Sequence, residues 1–163
     1  MPLALTSYSV VMALHIMAVL AAYGLPLAAP LFVPYLRRNH PRAMPGVHDV
    51  QHRLNIALTG PGTVLILLFG AYMASKHHLW DEVWVQVPIA IIATIAVVGG
   101  YVVKATGRLT ELARTDVAAA GPSGPVTFSA DYDAQYRRYL AVETFLGVIV
   151  LVAVFFMAAK PFN

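Results

Sequence analysis

Four long runs of apolar residues, almost free of charge, constrain this chain more than any other feature of its sequence. Residues 1–36, 54–75 and 83–103 contain no Asp, Glu, Lys or Arg, and residues 139–159 contain one such residue, Glu143. Each run is long enough to cross a bilayer, which needs about 20 predominantly apolar residues. Because a backbone inside a bilayer must satisfy its own hydrogen bonds, these runs predict helices.

We therefore predict an all-α protein, with residues 1–163 forming a single integral membrane domain folded as a four-helix up-down bundle. The predicted spans cover about 8–36, 54–75, 83–103 and 139–159. Only 12% of the residues are charged, against about 25% in an average soluble domain, which argues against a soluble enzyme. The chain has no Cys, which excludes disulfides, thiolate metal sites and a cysteine nucleophile.

The distribution of basic residues predicts the orientation of the bundle. Nine of the eleven Lys and Arg residues lie between the first and second runs or between the third and fourth; only Lys76 and Lys160 lie on the other side. By the positive-inside rule, both basic loops are cytoplasmic and both the N- and C-termini lie outside. We expect a multi-pass protein of a bacterial inner membrane that contacts the lipid bilayer and binds no nucleic acid. Other membrane-protein subunits, or further copies of the chain, are possible partners.

The first span contains three prolines at a spacing of four residues. Pro26, Pro30 and Pro34 share one face of a helix, and each removes an internal hydrogen bond. We predict a bent helix that is fitted to its neighbours. A broken helix that lines a transport site is the alternative.

The second basic loop carries signals of further helical structure. Residues 105–119 alternate leucines with charged side chains, which predicts a short amphipathic helix on the cytoplasmic surface. A cluster of glycines and prolines at 121–125 then interrupts the helix. Ser129 or Asp131 is a candidate cap for the last helix, which would begin before the membrane.

Two polar side chains within the predicted spans are candidates for chemistry, because such groups are costly in a membrane. His15 lies roughly 10 Å below the outer boundary of the first span. Its imidazole either bonds a neighbouring polar group or ligates haem or a metal. Glu143 lies near the cytoplasmic edge, and Arg53 enters the second span at a similar level. We predict a structural ion pair between Arg53 and Glu143.

Methionine and histidine side chains near the outer boundary provide a second hypothesis. Met17, Met73 and His77 are candidates to join His15 in a soft site that favours Cu(I). The remaining histidines, among them His40 and His48 in the first basic loop, are expected to be solvated. We find no nucleophile elbow, phosphate loop or dinucleotide fingerprint, so whether the protein is an enzyme stays open.

Several short segments carry a family resemblance. They are Ala13-Leu14-His15-Ile16, Thr59-Gly60-Pro61-Gly62-Thr63, Phe69-Gly70-Ala71-Tyr72, Tyr136-Arg137-Arg138-Tyr139 and Met157-Ala158-Ala159-Lys160-Pro161. Together they resemble a bacterial family of predicted integral membrane proteins, domain of unknown function 2269. More distantly, the chain is similar to the copper-resistance-D and HemJ-type protoporphyrinogen oxidase group of four-helix membrane proteins.

The resemblance implies a function through one matched position. In the HemJ-like group a histidine of a Leu-His pair on the first span is implicated in haem binding, and Leu14-His15 matches that pair. This implies haem b with His15 as its axial ligand. Our first hypothesis is therefore a haem-b-binding redox protein, for which a quinone or porphyrin is the candidate partner. The copper-resistance group implies membrane copper handling instead. A third hypothesis is a non-catalytic accessory subunit of a larger membrane complex.

Overall fold

A computed structural model describes residues 7–161, which form helices and turns with no strand in that range. The helices are α1 (Ser7–Asn39), α2 (Met44–Leu54), α3 (Gly60–Lys76), α4 (Val83–Ala119) and α5 (Ala130–Ala159). A 3-10 turn, Pro41–Ala43, precedes α2. A π-helical turn, Asn55–Thr59, joins α2 to α3, so that Pro41–Lys76 rises as one helical unit.

The four helical units pack as an up-down bundle. Helix α1 packs on α3 and α5, and α4 packs on α5 and α2, whereas α3 and α4 make few contacts with each other. All four units are long and apolar enough to cross a membrane. Large apolar side chains point outward, such as Leu31 at 79% exposed and Val97 at 83%, and a surface of this kind is stable only when lipid covers it. The predicted all-α four-helix membrane bundle is confirmed.

The helical units are longer than a bilayer is thick. They contain 33, 36, 37 and 30 residues, which at 1.5 Å per residue gives lengths of about 45–55 Å against a hydrocarbon core of about 30 Å. The charge-free runs occupy only part of each unit, so the charged parts extend beyond the membrane. We call these parts the basic end of the bundle: residues 37–53, 104–119 and 130–138.

Helix α4 corrects one prediction about the basic end. Residues 105–119 do not form a separate amphipathic helix on the membrane surface, because α4 continues without a break to Ala119. The physical reason is that Ala105, Leu109 and Ala113 repeat every four residues and are all buried, so they extend the apolar stripe of the span. The stripe packs against α2 and α5 rather than against lipid headgroups.

Contacts between α1, α5 and the connecting loops hold the basic end together. The Arg37 guanidinium forms an ion pair with Asp133 and lies 4.7 Å from the ring centre of Tyr136. The same group also lies over the rings of Phe128 and Tyr132. Ser129 caps α5 by accepting a hydrogen bond from the backbone N–H of Tyr132, which confirms one of the two predicted caps.

Prolines affect the backbone of the first two helical units differently. Helix α1 passes through Pro26, Pro30 and Pro34 as one continuous helix, so the alternative of a broken helix is wrong. In the second unit, Pro61 has no N–H and its ring excludes the carbonyl group four residues earlier. The helix accommodates this by widening, and the N–H of Gly60 donates to the carbonyl of Asn55, five residues back.

Small residues allow α1 and α3 to approach each other closely. A Cβ atom placed on Gly62 would lie 2.7 Å from the Cβ atom of Ala22. One turn away, the Thr59 hydroxyl donates to the carbonyl of Ala22 at 3.0 Å. The hydroxyl groups of Tyr23 and Thr63 are 2.7 Å apart across the same interface. Close packing and hydrogen bonds between helices are the usual means of association within a membrane.

We predict that Gly62→Ala destabilises the bundle. The added methyl group would clash with rigid backbone-proximal atoms of α1, and overpacking of this kind costs about 1–3 kcal/mol. Gly24→Ala is the matched control, since nothing lies within 4 Å of its added Cβ, and it should stabilise α1 by about 0.5–1 kcal/mol. Unfolding curves in detergent measure both effects. Equal stability of the two variants would contradict the proposed interface.

Candidate functional site

His15 is a buried imidazole with no hydrogen-bond partner. Its residue is 6% exposed, and neither Nδ1 nor Nε2 forms a hydrogen bond with any described residue, although the carbonyl of Ile66 lies beside the ring. The Nδ1 and Cε1 edge faces Gly70, where an added Cβ would lie 3.4 Å from Cε1. Buried polar atoms without partners are rare in proteins. Glycine at position 70 therefore accommodates the ring, both of whose nitrogens lack a hydrogen-bond partner among the described residues.

The other proposed copper ligands differ in helix face and in burial. Met17 follows His15 by two residues, so it lies on a different face of α1, and it is 63% exposed. His77 is exposed on the outer turn, where its ring centre lies 4.7 Å from that of Tyr8. Met73 is partly buried in α3. Within residues 7–161, no three His, Cys, Asp or Glu side chains form a group able to hold a metal ion.

The predicted ion pair between Arg53 and Glu143 is not formed. Arg53 is largely exposed, and its Nε donates to Asp49 on the same helix at 2.9 Å. Glu143 is 2% exposed and contacts the Tyr139 hydroxyl instead. The two residues lie at similar depth, but Arg53 lies on the outer surface of α2 while Glu143 faces the centre of the bundle. Depth along a helix was predictable from the sequence, whereas the face was not.

A buried chain of hydrogen bonds runs from Tyr132 to Tyr139, next to Glu143. At the basic end, His48 is fully buried, with Nδ1 3.0 Å from Gln51 Oε1 and Nε2 3.0 Å from the Tyr132 hydroxyl. Gln51 Nε2 donates to the Tyr139 hydroxyl at 2.8 Å. That hydroxyl lies beside the carboxyl group of Glu143. The chain links α2 to α5 over several helical turns.

When His48 is neutral, each side chain in this series of hydrogen bonds donates to the next, from Tyr132 toward Tyr139. Gln51 Oε1 can only accept, so His48 donates from Nδ1 and accepts the Tyr132 proton at Nε2. Each side chain of the chain thus has at least one hydrogen-bond partner, which reduces the penalty of burying these groups. The expectation that His48 is a solvated loop residue is therefore wrong. The spacing of Tyr132, Tyr136 and Tyr139, which places three rings on one face of α5, was the available signal.

A cavity of about 420 Å³ lies beside Glu143, between α3 and α4, and residues of α1 and α5 form its inner wall. Its walls are mostly apolar and include glycines of α3 and α4, Gly60, Gly99 and Gly100. Asn55, the first residue of the π-helical turn, also borders the cavity and is 6% exposed. The cavity does not reach His15, which lies about two helical turns farther out along α1 than the lining residue Tyr23.

Comparisons of the chain with protein-family models, with curated proteins and with solved structures find no match. Because no known protein supplies a family, we assign the class of the protein from its fold and from the polar residues in its interior. It is a small multi-pass membrane protein, built as a four-helix bundle with a buried histidine without a partner and a cavity lined by a buried carboxyl group.

We predict that His48→Ala destabilises the protein, because it leaves Gln51 and Tyr132 without partners in a dry environment. The expected loss is about 3 kcal/mol in the free energy of unfolding. His40→Ala is the control, since His40 is exposed and should change stability by less than about 0.5 kcal/mol. Denaturant titration in detergent compares the two. Similar losses in both variants would show that the buried chain adds no stability.

Proposed function

We propose that the protein is a haem-b-binding membrane redox protein in which His15 is the axial ligand. The observation that carries the proposal is the buried imidazole whose two nitrogens have no partner among the described residues. Histidine nitrogen is a common axial ligand of haem iron. Haem bound there would supply one-electron chemistry, while the protein sets its potential.

The surroundings of His15 support the haem proposal. Gly70 packs against the edge of the ring, where a larger side chain would crowd Cε1. The apolar surroundings of α1 and α3 exclude water from the imidazole. Copper handling is less well supported, because Met17 lies on another face of α1.

We further propose that the basic end lies in the cytoplasm of a bacterial cell and that the chain resides in the inner membrane. The support is the distribution of charge, since the basic loops meet at one end of the bundle. Arg42 contributes to this assembly, because its guanidinium donates to the backbone carbonyl of Gly121 at 2.9 Å. Both termini would then face the outside.

The haem proposal predicts a Soret band in protein purified from haem-replete cells, with an α-band after reduction. His15→Gly should lose most of the bound haem, and added imidazole should restore the spectrum by occupying the vacated position. His77→Ala is the control and should keep the spectrum, since His77 is exposed. A colourless wild-type protein would contradict the proposal. Metal analysis of the same sample would then decide between copper handling and an accessory subunit.

The orientation can be tested with single cysteines, because the chain contains none. We predict that an impermeant maleimide labels Asp81→Cys on intact cells and does not label Ser123→Cys. Both positions are exposed in loops at opposite ends of the bundle, so labelling reports the side of the membrane. Permeabilised cells are the control, in which both variants should react. The reverse pattern would show that the basic end is outside.

A further inference from the structure

The cavity between α3 and α4 has an open side that faces lipid. These two helices make few contacts with each other. The side chains of Ile56 and Val64, which line the cavity, are 53% and 55% exposed. No atom lies within 4 Å of a Cβ built on Gly60, Gly99 or Gly100. A molecule dissolved in the bilayer can therefore enter sideways, between two flat surfaces formed by backbone.

Two polar side chains, Asn55 and Glu143, line the inner end of this cavity. Gln51 and Tyr139 hydrogen-bond each other, and Asn55 and Glu143 each lie one turn farther along their helices, so they are at the same depth. Asn55 is 94% buried as a residue, and its side chain borders the cavity. An amide on the wall of a mostly apolar cavity is placed to hydrogen-bond a ligand that enters it.

The π-helical turn gives Asn55 its position. The turn begins at Asn55 and widens the helix around Pro61, and such widened turns occur frequently at functional sites. Asn55 lies between the charged helix α2 and the apolar helix α3. A ligand with a polar head group and an apolar tail would place its head beside this amide and its tail toward the lipid.

The charges around the cavity restrict the head group. None of the residues that line it is Lys, Arg or His, and Glu143 is its one ionisable carboxyl group. A phosphate or carboxylate head would therefore be buried beside an acid with no cation to balance it, which is strongly unfavourable. Tyr23 is the single aromatic residue of the lining, so the aromatic cage typical of organic-cation sites is missing as well. A neutral, flat head with hydrogen-bonding oxygens fits these constraints.

We propose that the cavity binds a membrane-dissolved quinone or quinol. Asn55 and Glu143 hydrogen-bond oxygens of the ring, the ring lies between the glycine surfaces of α3 and α4, and the hydrocarbon tail leaves between these helices. Tyr139 is a positioning residue that orients the Glu143 carboxyl group through the buried chain. The site is separate from His15, and its occupancy does not depend on bound haem.

The test is binding of a decyl-substituted benzoquinone to the full chain in phosphatidylcholine nanodiscs, with partitioning into empty nanodiscs subtracted. We expect saturable binding at a single site. Gly100→Leu fills the open side and should weaken binding by at least about tenfold. Gly24→Leu is the matched control, because it adds the same side chain to an open position of α1 outside the cavity, and it should leave binding within about twofold.

Two further variants examine the polar end of the site. Asn55→Leu removes the amide and should weaken quinone binding about tenfold, the effect expected for loss of one well-made hydrogen bond. Glu143→Gln keeps hydrogen-bonding capacity and should change binding less than about threefold. Decylbenzene, which has the same tail and ring size but no carbonyl oxygens, should bind at least about tenfold more weakly than the quinone. This last comparison uses wild-type protein and is independent of how well any variant folds.

Three results would overturn the proposal. The first is quinone uptake no greater than that of empty nanodiscs. The second is equal binding by Gly100→Leu and Gly24→Leu. The third is binding of tetraphenylphosphonium that the quinone does not displace and that Glu143→Gln abolishes, since this would identify a site for lipophilic cations. The haem spectrum of the same samples is a separate readout, so failure of the quinone site and failure of the His15 proposal are distinguishable.

Discussion

The cost of leaving a polar group unsatisfied in a low-dielectric interior is the constraint on which the rest of this structure depends. It makes every membrane-crossing segment a helix, because only a helix satisfies its backbone locally. It also requires that polar side chains in the interior find hydrogen-bond partners. At the basic end, the chain from Tyr132 through His48 and Gln51 to Tyr139 gives each of these side chains a hydrogen-bond partner. That chain fixes α2 against α5 and so places Glu143.

Two interior side chains lie outside this chain of hydrogen bonds, and both carry the functional argument. The two nitrogens of His15, in the outer half of α1, are buried without hydrogen-bond partners in the described chain. Asn55, at the start of the π-helical turn, presents its amide to the cavity. Neither is required for packing, since apolar residues would fill the same space at lower cost. A ligand that coordinates the imidazole, and another that hydrogen-bonds the amide, would account for both.

Backbone features and small residues give these side chains their surroundings. Gly62 permits the close approach of α1 and α3, and Gly70 makes room beside His15. On the opposite side, Gly99 and Gly100 leave α3 and α4 apart. The same residue type therefore closes one interface and opens another. The difference is which neighbouring helix faces each glycine, and long-range packing of the whole bundle decides that.

The sequence by itself determined the number of helices, their approximate membrane segments and the cap at Ser129, because hydropathy, charge and capping are local properties. It also indicated His15, as a rare polar residue in an apolar run. The tertiary structure alone decided which way side chains face: Arg53 turns outward to Asp49, His48 is buried, and Asn55 and Glu143 both border the cavity. Helical periodicity gives relative angles along one helix, and only the contacts between helices fix which angle points inward.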